Sequence, residues 1–323
     1  MKTDVLIVPN DTLVLGTGRG SVFRPGRGFS GRLGSDLFLG ILRSAYISSG
    51  MEPPNEIRIT SELAAMGVGG RLEPLYPVPD DLVMEPAAKD AVWMQPAYLE
   101  AISQEVVQHD LGDLRLLVPS SRNPEVRTFD AFLTRKGAKV WADRKPQRLT
   151  EGEHYMPFSR LFEIEQRRTI DDNAIHLAVR PGIGFLVSFE TPDDSPALSL
   201  PLTVKASAEN RTVRVEEAQF PLPAVDTKSR KRWRICLLSN LRVEDSEWPS
   251  WVDKYTLLTR APLPEGGKVV AFARRRADSS FGMSSTTNPN QNNSVIPVGT
   301  TLFIEFEEPV HIEQSAEILV GGN

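Results

Sequence analysis

Short alternations of apolar and polar residues, broken by turn-forming groups, recur along this chain. Thr212-Val-Arg-Val-Glu216, Trp233-Arg-Ile-Cys-Leu-Leu238, Lys268-Val-Val-Ala-Phe272 and Thr301-Leu-Phe-Ile-Glu-Phe306 are examples. Successive strand side chains point to opposite faces, so a period of two marks a strand with one face buried. The second half therefore reads as a sheet with little helix. In the first half, Val5 to Val8 and Thr12 to Leu15 read as strands on either side of Pro9-Asn10-Asp11, and Ile57 to Ile59 as another. Ala174 to Glu190 reads as a strand pair turning at Pro181-Gly182, and the acidic, proline-bearing segment Thr191 to Pro196 is the expected interdomain boundary.

Helical spacing is rarer. Ser35-Asp36 offers an N-cap, after which Leu37, Phe38, Ile41, Leu42 and Ala45 repeat on one face until Ser48-Ser49-Gly50. A second helix is expected between Asp90 and Gln108. Leu75 to Val83, with its prolines, is expected to be an extended loop. Phe129 to Leu149 reads as a charged hairpin turning at Lys136-Gly137-Ala138, with little core of its own.

The net charge of −5 argues against binding nucleic acid through an overall positive field. Any such role must be local, and the positive charge is clustered. Arg19, Arg24, Arg27, Arg32 and Arg43 share a stretch whose only acid is Asp36, and this stretch includes seven glycines between Gly16 and Gly34. Arg135 to Arg148, Lys228 to Arg234 and Arg274-Arg275-Arg276 are further clusters, with Phe23, Phe29, Trp141, Trp233 and Phe281 close by. Unstacked bases can stack on such rings while arginines hold phosphates.

Catalytic signatures are sparse. Gly16-Thr-Gly-Arg-Gly-Ser21 lacks the Gly-Lys-Ser/Thr ending of a nucleoside triphosphatase and the last glycine of a dinucleotide fingerprint. His109, His154, His176 and His311 show no spacing that would pair two ligands on one helix face, so no metal site is read. There is no Gly-x-Ser-x-Gly elbow, and the single cysteine, Cys236, sits in an apolar run where it reads as a small buried hydrophobe. It forbids an internal disulfide and fits a reducing cytosol. His154, Tyr155 and Lys145 form the one group that could serve a ribonuclease. No run approaches the roughly 18 apolar residues of a membrane span.

Several stretches together resemble the RAMP superfamily of CRISPR proteins, most closely the guide-capping subunits of type III-B (Cmr) effector complexes. Asp11-Thr-Leu with Gly18-Arg19 resembles the family's opening Asp and Gly-Arg turn, and Gly40-Ile-Leu-Arg43 its Gly-x-x-Arg. Leu75 to Val83 is similar to its Pro-x-Pro-x-Asp loop, and Leu161 to Asp171 to its Glu-x-Arg-x-Gly-Ile segment, followed by Arg180-Pro-Gly-Ile-Gly-Phe185. Val295 to Glu305 resembles its closing Val-Pro-x-Gly-Ser strand. The chain departs from the family at Ala206-Ser-Ala-Glu-Asn-Arg211 and at Phe281-Gly282.

The resemblance implies an α+β fold of two ferredoxin-like (RRM-related) domains, residues 1–195 and 196–323, with a β-hairpin insertion near 129–149 of the first. It implies a non-catalytic, cytoplasmic subunit without cofactor or metal, which grips the 5′ repeat-derived tag of a guide RNA. The implied partners are that RNA, the large polymerase-like subunit and the backbone RAMP subunits; the charged hairpin, with no core of its own, is suited to wedge between guide and target RNA. Arg19, Arg24, Arg27, Arg43, Lys136, Lys139, Arg144, Arg167, Arg168, Arg274, Arg275 and Phe281 are the expected RNA contacts. The equivalent type III-A subunit, a repeat-cleaving RAMP endoribonuclease and a purely protein-contacting scaffold are the alternatives.

Overall fold

A computed structural model describes residues 1–11, 13–16, 35–68, 71–85, 90–96, 117–119, 131–144, 148–169, 172–206, 211–220, 222–223, 228–238, 241–243, 266–273, 294–296 and 298–322. The strands of the first half are β1 (Lys2–Pro9), β2 (Val14–Gly16), β3 (Arg58–Val68), β4 (Arg71–Pro77), β5 (Leu82–Glu85), β6 (Asp90–Pro96), β7 (Leu117–Pro119) and β8 (Ala131–Leu133). β9 (Tyr155–Pro157), β10 (Phe162–Thr169), β11 (Asp172–Val179), β12 (Ile183–Glu190), β13 (Leu202–Lys205) and β14 (Thr212–Glu217) follow. The remainder are β15 (Arg230–Leu237), β16 (Leu241–Val243), β17 (Lys268–Ala273), β18 (Ser294–Ile296), β19 (Thr301–Val310) and β20 (Ile318–Gly322). Helices α1 (Ser35–Ser48), α2 (Arg135–Asp143) and α3 (Phe158–Leu161) complete the described elements.

An eight-stranded sheet in the order β13-β14-β1-β12-β3-β4-β8-β9 is the centre of the molecule. β12 is buried from Ile183 to Phe189 because both of its faces are covered. Phe185, Val187 and Phe189 join α1 residues Phe38, Ile41, Leu42 and Ala45 in one core, and the Phe38 and Phe185 rings lie 5.1 Å apart. Leu186, on the other face, shares a second core with Trp141 of α2, with Cys236 and Leu319 of a four-stranded sheet, β17-β19-β15-β20, and with Leu238 just beyond β15. α2 thus fills the space between the two sheets, a sequence of layers that buries both faces of the central one. The far face of the four-stranded sheet closes over Trp233, Ile235, Leu237, Leu302 and Ile304. All pairings between described strands are antiparallel, which fits a chain that is mostly β with few helices and of α+β class.

The helix expected after Ser35-Asp36 and the strands expected near Val5, Ile57, Thr212, Trp233, Lys268 and Thr301 are present. Cys236 is buried and free, as expected. The division expected at 195–196 falls between β12 and β13, and strands from both sides share the large sheet, since β1 pairs with β12 along one edge and with β14 along the other.

Three local expectations are corrected. The charged hairpin at 129–149 is instead strand β8 followed by helix α2. Thr134 caps the helix, its hydroxyl accepting from the Gly137 N–H at 3.2 Å, and Ala138, Trp141 and Ala142 bury one face. Gly137, read as a turn residue, is a packing glycine: a Cβ there would stand 1.9 Å from the His154 carbonyl oxygen. The helix stops at Arg144, which adopts a left-handed conformation with φ of 53°. Of the helix expected over Asp90–Gln108, residues 90–96 form strand β6 instead, where Pro96 cannot supply an interior helical N–H and β5 and β7 pair on either side, and residues 97–108 lie outside the described residues. The loop expected over Leu75–Val83 is largely strand, with Pro74 opposite Ala65 and Pro77 opposite Phe132 at the end of β4. Only the Pro79–Leu82 turn, closed by the Leu82 N–H on the Pro79 carbonyl at 2.9 Å, interrupts it. The turn at Pro181-Gly182 forms as expected, yet the strands beside it part: β12 stays in the large sheet while β11 joins β10 and β2 in a separate one.

Candidate nucleic-acid interface

The three-stranded sheet β10-β11-β2 brings together residues that are far apart in sequence. Gly16, the last residue of β2, pairs with His176, and His176 pairs with Glu165 on the other side. Arg167 and Arg168 lie opposite Ala174 and Asn173, only two and three positions further along β11. At about 3.3 Å per strand residue and about 4.8 Å between neighbouring strands, the arginine pair, across β11 from β2, has its backbone roughly 12 to 14 Å from the start of the glycine-rich segment. That segment, residues 17–34, is anchored at its other end by α1. Arg19, Arg24 and Arg27 lie within it, outside the described residues.

On α1, Gly40 and Arg43 are three residues apart and both are exposed. No described atom comes within 4 Å of where a Gly40 Cβ would stand. Glycine in a helix interior is unfavourable by about 1 kcal/mol relative to alanine, so Gly40 at this exposed position has a cost that packing against the described residues does not explain.

α2 supplies a basic outer face. Lys136 is 71% exposed and lies 3.2 Å from Glu153, while Lys139 pairs with Asp143 at 3.5 Å one helical turn on. Arg135, also exposed, donates to the Leu222 carbonyl at 3.3 Å. Arg144 is the C-terminal cap of the helix rather than part of a hairpin tip. Arg274, Arg275 and Phe281 are outside the described residues, and β17 ends at Ala273 just before the first of them.

The opposite face of α2 is held by a buried polar knot that sequence reasoning did not single out. Asp81 and Arg234 are both fully buried and meet at 2.9 Å. Asp81 also accepts from Trp141 Nε1 at 2.8 Å and from the Thr301 hydroxyl at 3.0 Å. Arg234 divides its donors among three segments: Nη1 to Asp81, Nε to the Gly322 carbonyl at 3.0 Å, and Nη2 to the Trp141 carbonyl at 2.5 Å. The Trp141 carbonyl, in the last turn of α2, also accepts from the Arg144 N–H at 3.1 Å, and a cation is favoured at this end of a helix. The guanidinium also lies 4.6 Å from the Trp141 ring centre. Burial pulls the Arg234 pKa down, and the Asp81 carboxylate opposes that pull. One signal was available in the sequence: by alternation Arg234 falls on the same face as the apolar Cys236 and Leu238, not on a solvated one.

Beside the knot, the Asp80 N–H donates to the Gly299 carbonyl at 2.8 Å. The proline-aspartate stretch near residue 80 and the closing stretch near residue 300 therefore touch, although they are more than 200 residues apart in the chain.

His154 is buried, and its Nδ1 accepts from the Thr150 N–H at 3.2 Å, which fixes the turn into β9. Burial raises the Tyr155 pKa. Lys145, the third member of the ribonuclease candidate, is outside the described residues. No helix among them is long and apolar enough to cross a membrane.

No protein-family model and no curated protein matches the chain. Among solved structures it is similar to a chain in the cryo-EM structure of the Type III-B Cmr-beta bound to cognate target RNA, at 12% identity and a TM-score of 0.43. It is similar also to a chain of that assembly bound to cognate target RNA and AMPPnP, at 13% identity and the same TM-score. Each alignment covers 93% of this chain and 86% of the other.

Proposed function

We propose that this chain is a non-catalytic RNA-holding subunit of a type III-B CRISPR effector complex, in which it grips the 5′ repeat-derived tag of the guide RNA. The observation that carries the reading is the register of β2, β11 and β10. It sets Arg167 and Arg168 on the same three-stranded sheet, across β11 and toward the end at which the glycine-rich, arginine-bearing segment leaves β2. Backbone N–H groups of a glycine-rich segment can hold phosphates, and arginines from two directions add charge-assisted contacts, with no titrating catalytic group required. The contact between the turn at Asp80 and the closing strand supports the same reading, because both stretches carry the family resemblance.

In this reading the open face over Gly40 and Arg43 admits the nucleic-acid backbone, and the outer face of α2 takes the place of the expected hairpin against guide or target RNA. The large polymerase-like subunit and the backbone RAMP subunits are the protein partners. The fold divides into two ferredoxin-like units, and the complex works in the cytoplasm.

The test is to co-express the chain with the products of neighbouring genes, purify through a tag on this chain, and sequence the RNA that co-elutes. Short RNAs sharing one 5′ end, and lost on neutralising Arg19, Arg27 and Arg43, are expected. RNA without a common 5′ end, or a multi-subunit complex free of RNA, would overturn the reading.

A further inference from the structure

At the end of the β10-β11 ribbon remote from Arg167 and Arg168, the chain forms a shallow depression lined by Glu151, Pro157, Ser159, Arg160 and Arg180. The two arginines reach it from different elements. Arg160 lies on α3, and Arg180 follows β11, where its N–H donates to the Leu161 carbonyl at 2.9 Å. Each guanidinium is oriented through its Nε. Arg160 Nε donates to Glu151 Oε1 at 3.2 Å, and Arg180 Nε donates to the Ser159 carbonyl at 3.0 Å. Arg180 Nη2 lies 4.0 Å from a Glu163 carboxylate oxygen, beyond hydrogen-bond reach.

A guanidinium has five N–H donors, and the Nε bond uses one. The Nη groups of both arginines, the part that pairs most readily with phosphate oxygens, make no hydrogen bond to a described residue. Both side chains are accessible, at 69% and 46% exposure. Two arginines face the Glu151 carboxylate in the lining and the Glu163 carboxylate 4.0 Å from Arg180, so the formal charges balance. A site with little net charge suits a singly charged phosphodiester better than a phosphate dianion, and the directed guanidinium donors, not a surplus of positive charge, supply the recognition.

We infer that this depression binds a phosphodiester group of the RNA, as a second hold about 20 Å along β10 from the arginine pair. The inference rests on the RNA-holding reading above and extends it to residues that sequence reasoning left unassigned. None of the five lies in either basic cluster of the first half, and Arg180 was read only as the lead-in to a strand.

The experiment uses the full chain and its R160Q/R180Q variant in two titrations. Single-stranded RNA is bound at several salt concentrations, and dimethyl phosphate is followed through the arginine Nε–H resonances by NMR. The variant should bind RNA roughly tenfold more weakly, about one charge-assisted hydrogen bond. Its log affinity against log salt should be shallower by about 0.7, the value for one phosphate contact on a single strand. In the unmodified chain two Nε–H resonances that are absent from the variant should move with dimethyl phosphate. Equal RNA affinity and slope in the two proteins would overturn the inference and leave the RNA-holding reading in place. If the unmodified chain ignores RNA while those resonances still respond, the phosphodiester site stands and the RNA reading falls. No response in either titration removes both.

Discussion

The carboxylate of Asp81 and the guanidinium of Arg234, 153 residues apart in the chain, lie 2.9 Å from each other with neither exposed to solvent. Removing one member leaves the other charged and dry, and breaking such a pair typically costs 3 to 5 kcal/mol, so Asp81→Ala should destabilise by about that much. Replacing both, as in Asp81→Leu with Arg234→Met, should be the milder change, because no orphaned charge remains. Urea unfolding of the three proteins measures this. A double variant as unstable as the single would mean that the hydrogen bonds to Trp141, Gly322 and Thr301 carry the stability instead.

Gly137→Ala tests whether helix propensity or packing rules α2. On propensity alone alanine should gain about 1 kcal/mol. With its Cβ 1.9 Å from the His154 carbonyl oxygen, the helix must shift, and overpacking of this kind costs about 1 to 3 kcal/mol. We expect a lower melting temperature, and a raised one would show that α2 has room to move.

Gly40→Ala should behave in the opposite way. No described atom opposes the new methyl group, so stability should rise by up to about 1 kcal/mol. Retention of RNA in the purified complex should fall, because the methyl group would stand between the helix and a backbone approaching Arg43. Unchanged RNA retention would release this face of α1 from the proposed interface.

Lys136→Ala separates surface charge from fold. Exposed ion pairs contribute about 0.2 to 1 kcal/mol, so losing the Glu153 contact should hardly move the unfolding midpoint. RNA binding should nonetheless weaken and become less sensitive to salt. An unfolding midpoint that drops sharply would place Lys136 in the structural framework.

Cys236 reports on opening. Burial raises its thiol pKa well above the ordinary 9.0, so the folded protein should resist thiol reagents even in mildly alkaline solution. In the unfolded chain the thiol ionises near its ordinary value. Stability contributed by keeping it neutral is complete below pH 9.0 and declines as the pH rises toward the folded value. Labelling rates that follow the unfolding equilibrium are expected, and rapid labelling of the native protein would contradict the burial.

Much of the β framework was legible because alternation is a local property. The strands around Thr212, Trp233 and Thr301 need only their own residues to declare a buried face. α1 was legible for the same reason, through a cap and one apolar stripe. What escaped depends on distant partners. Gly137 looks like a turn glycine until the His154 carbonyl is placed against it. β12 was legible as a strand, but not its burial on both faces, which needs layers from distant parts of the chain. Alternation hinted that Arg234 faces inward, but only its meeting with Asp81 explains why both charges can be dry. The arginines of the candidate interface were visible as clusters, but not the register that sets Arg167 and Arg168 on the same sheet as Gly16.

The position of β1 has a consequence during synthesis. It lies between β12 and β14, both made well after it. At roughly 5 to 20 residues per second, the strand emerges from the ribosome at least about 10 seconds before β14 exists to pair with it. Over that interval Val5 and Ile7, dry in the finished protein, belong to a nascent segment with two open edges. The cell must shelter this segment while the rest of the chain is being made.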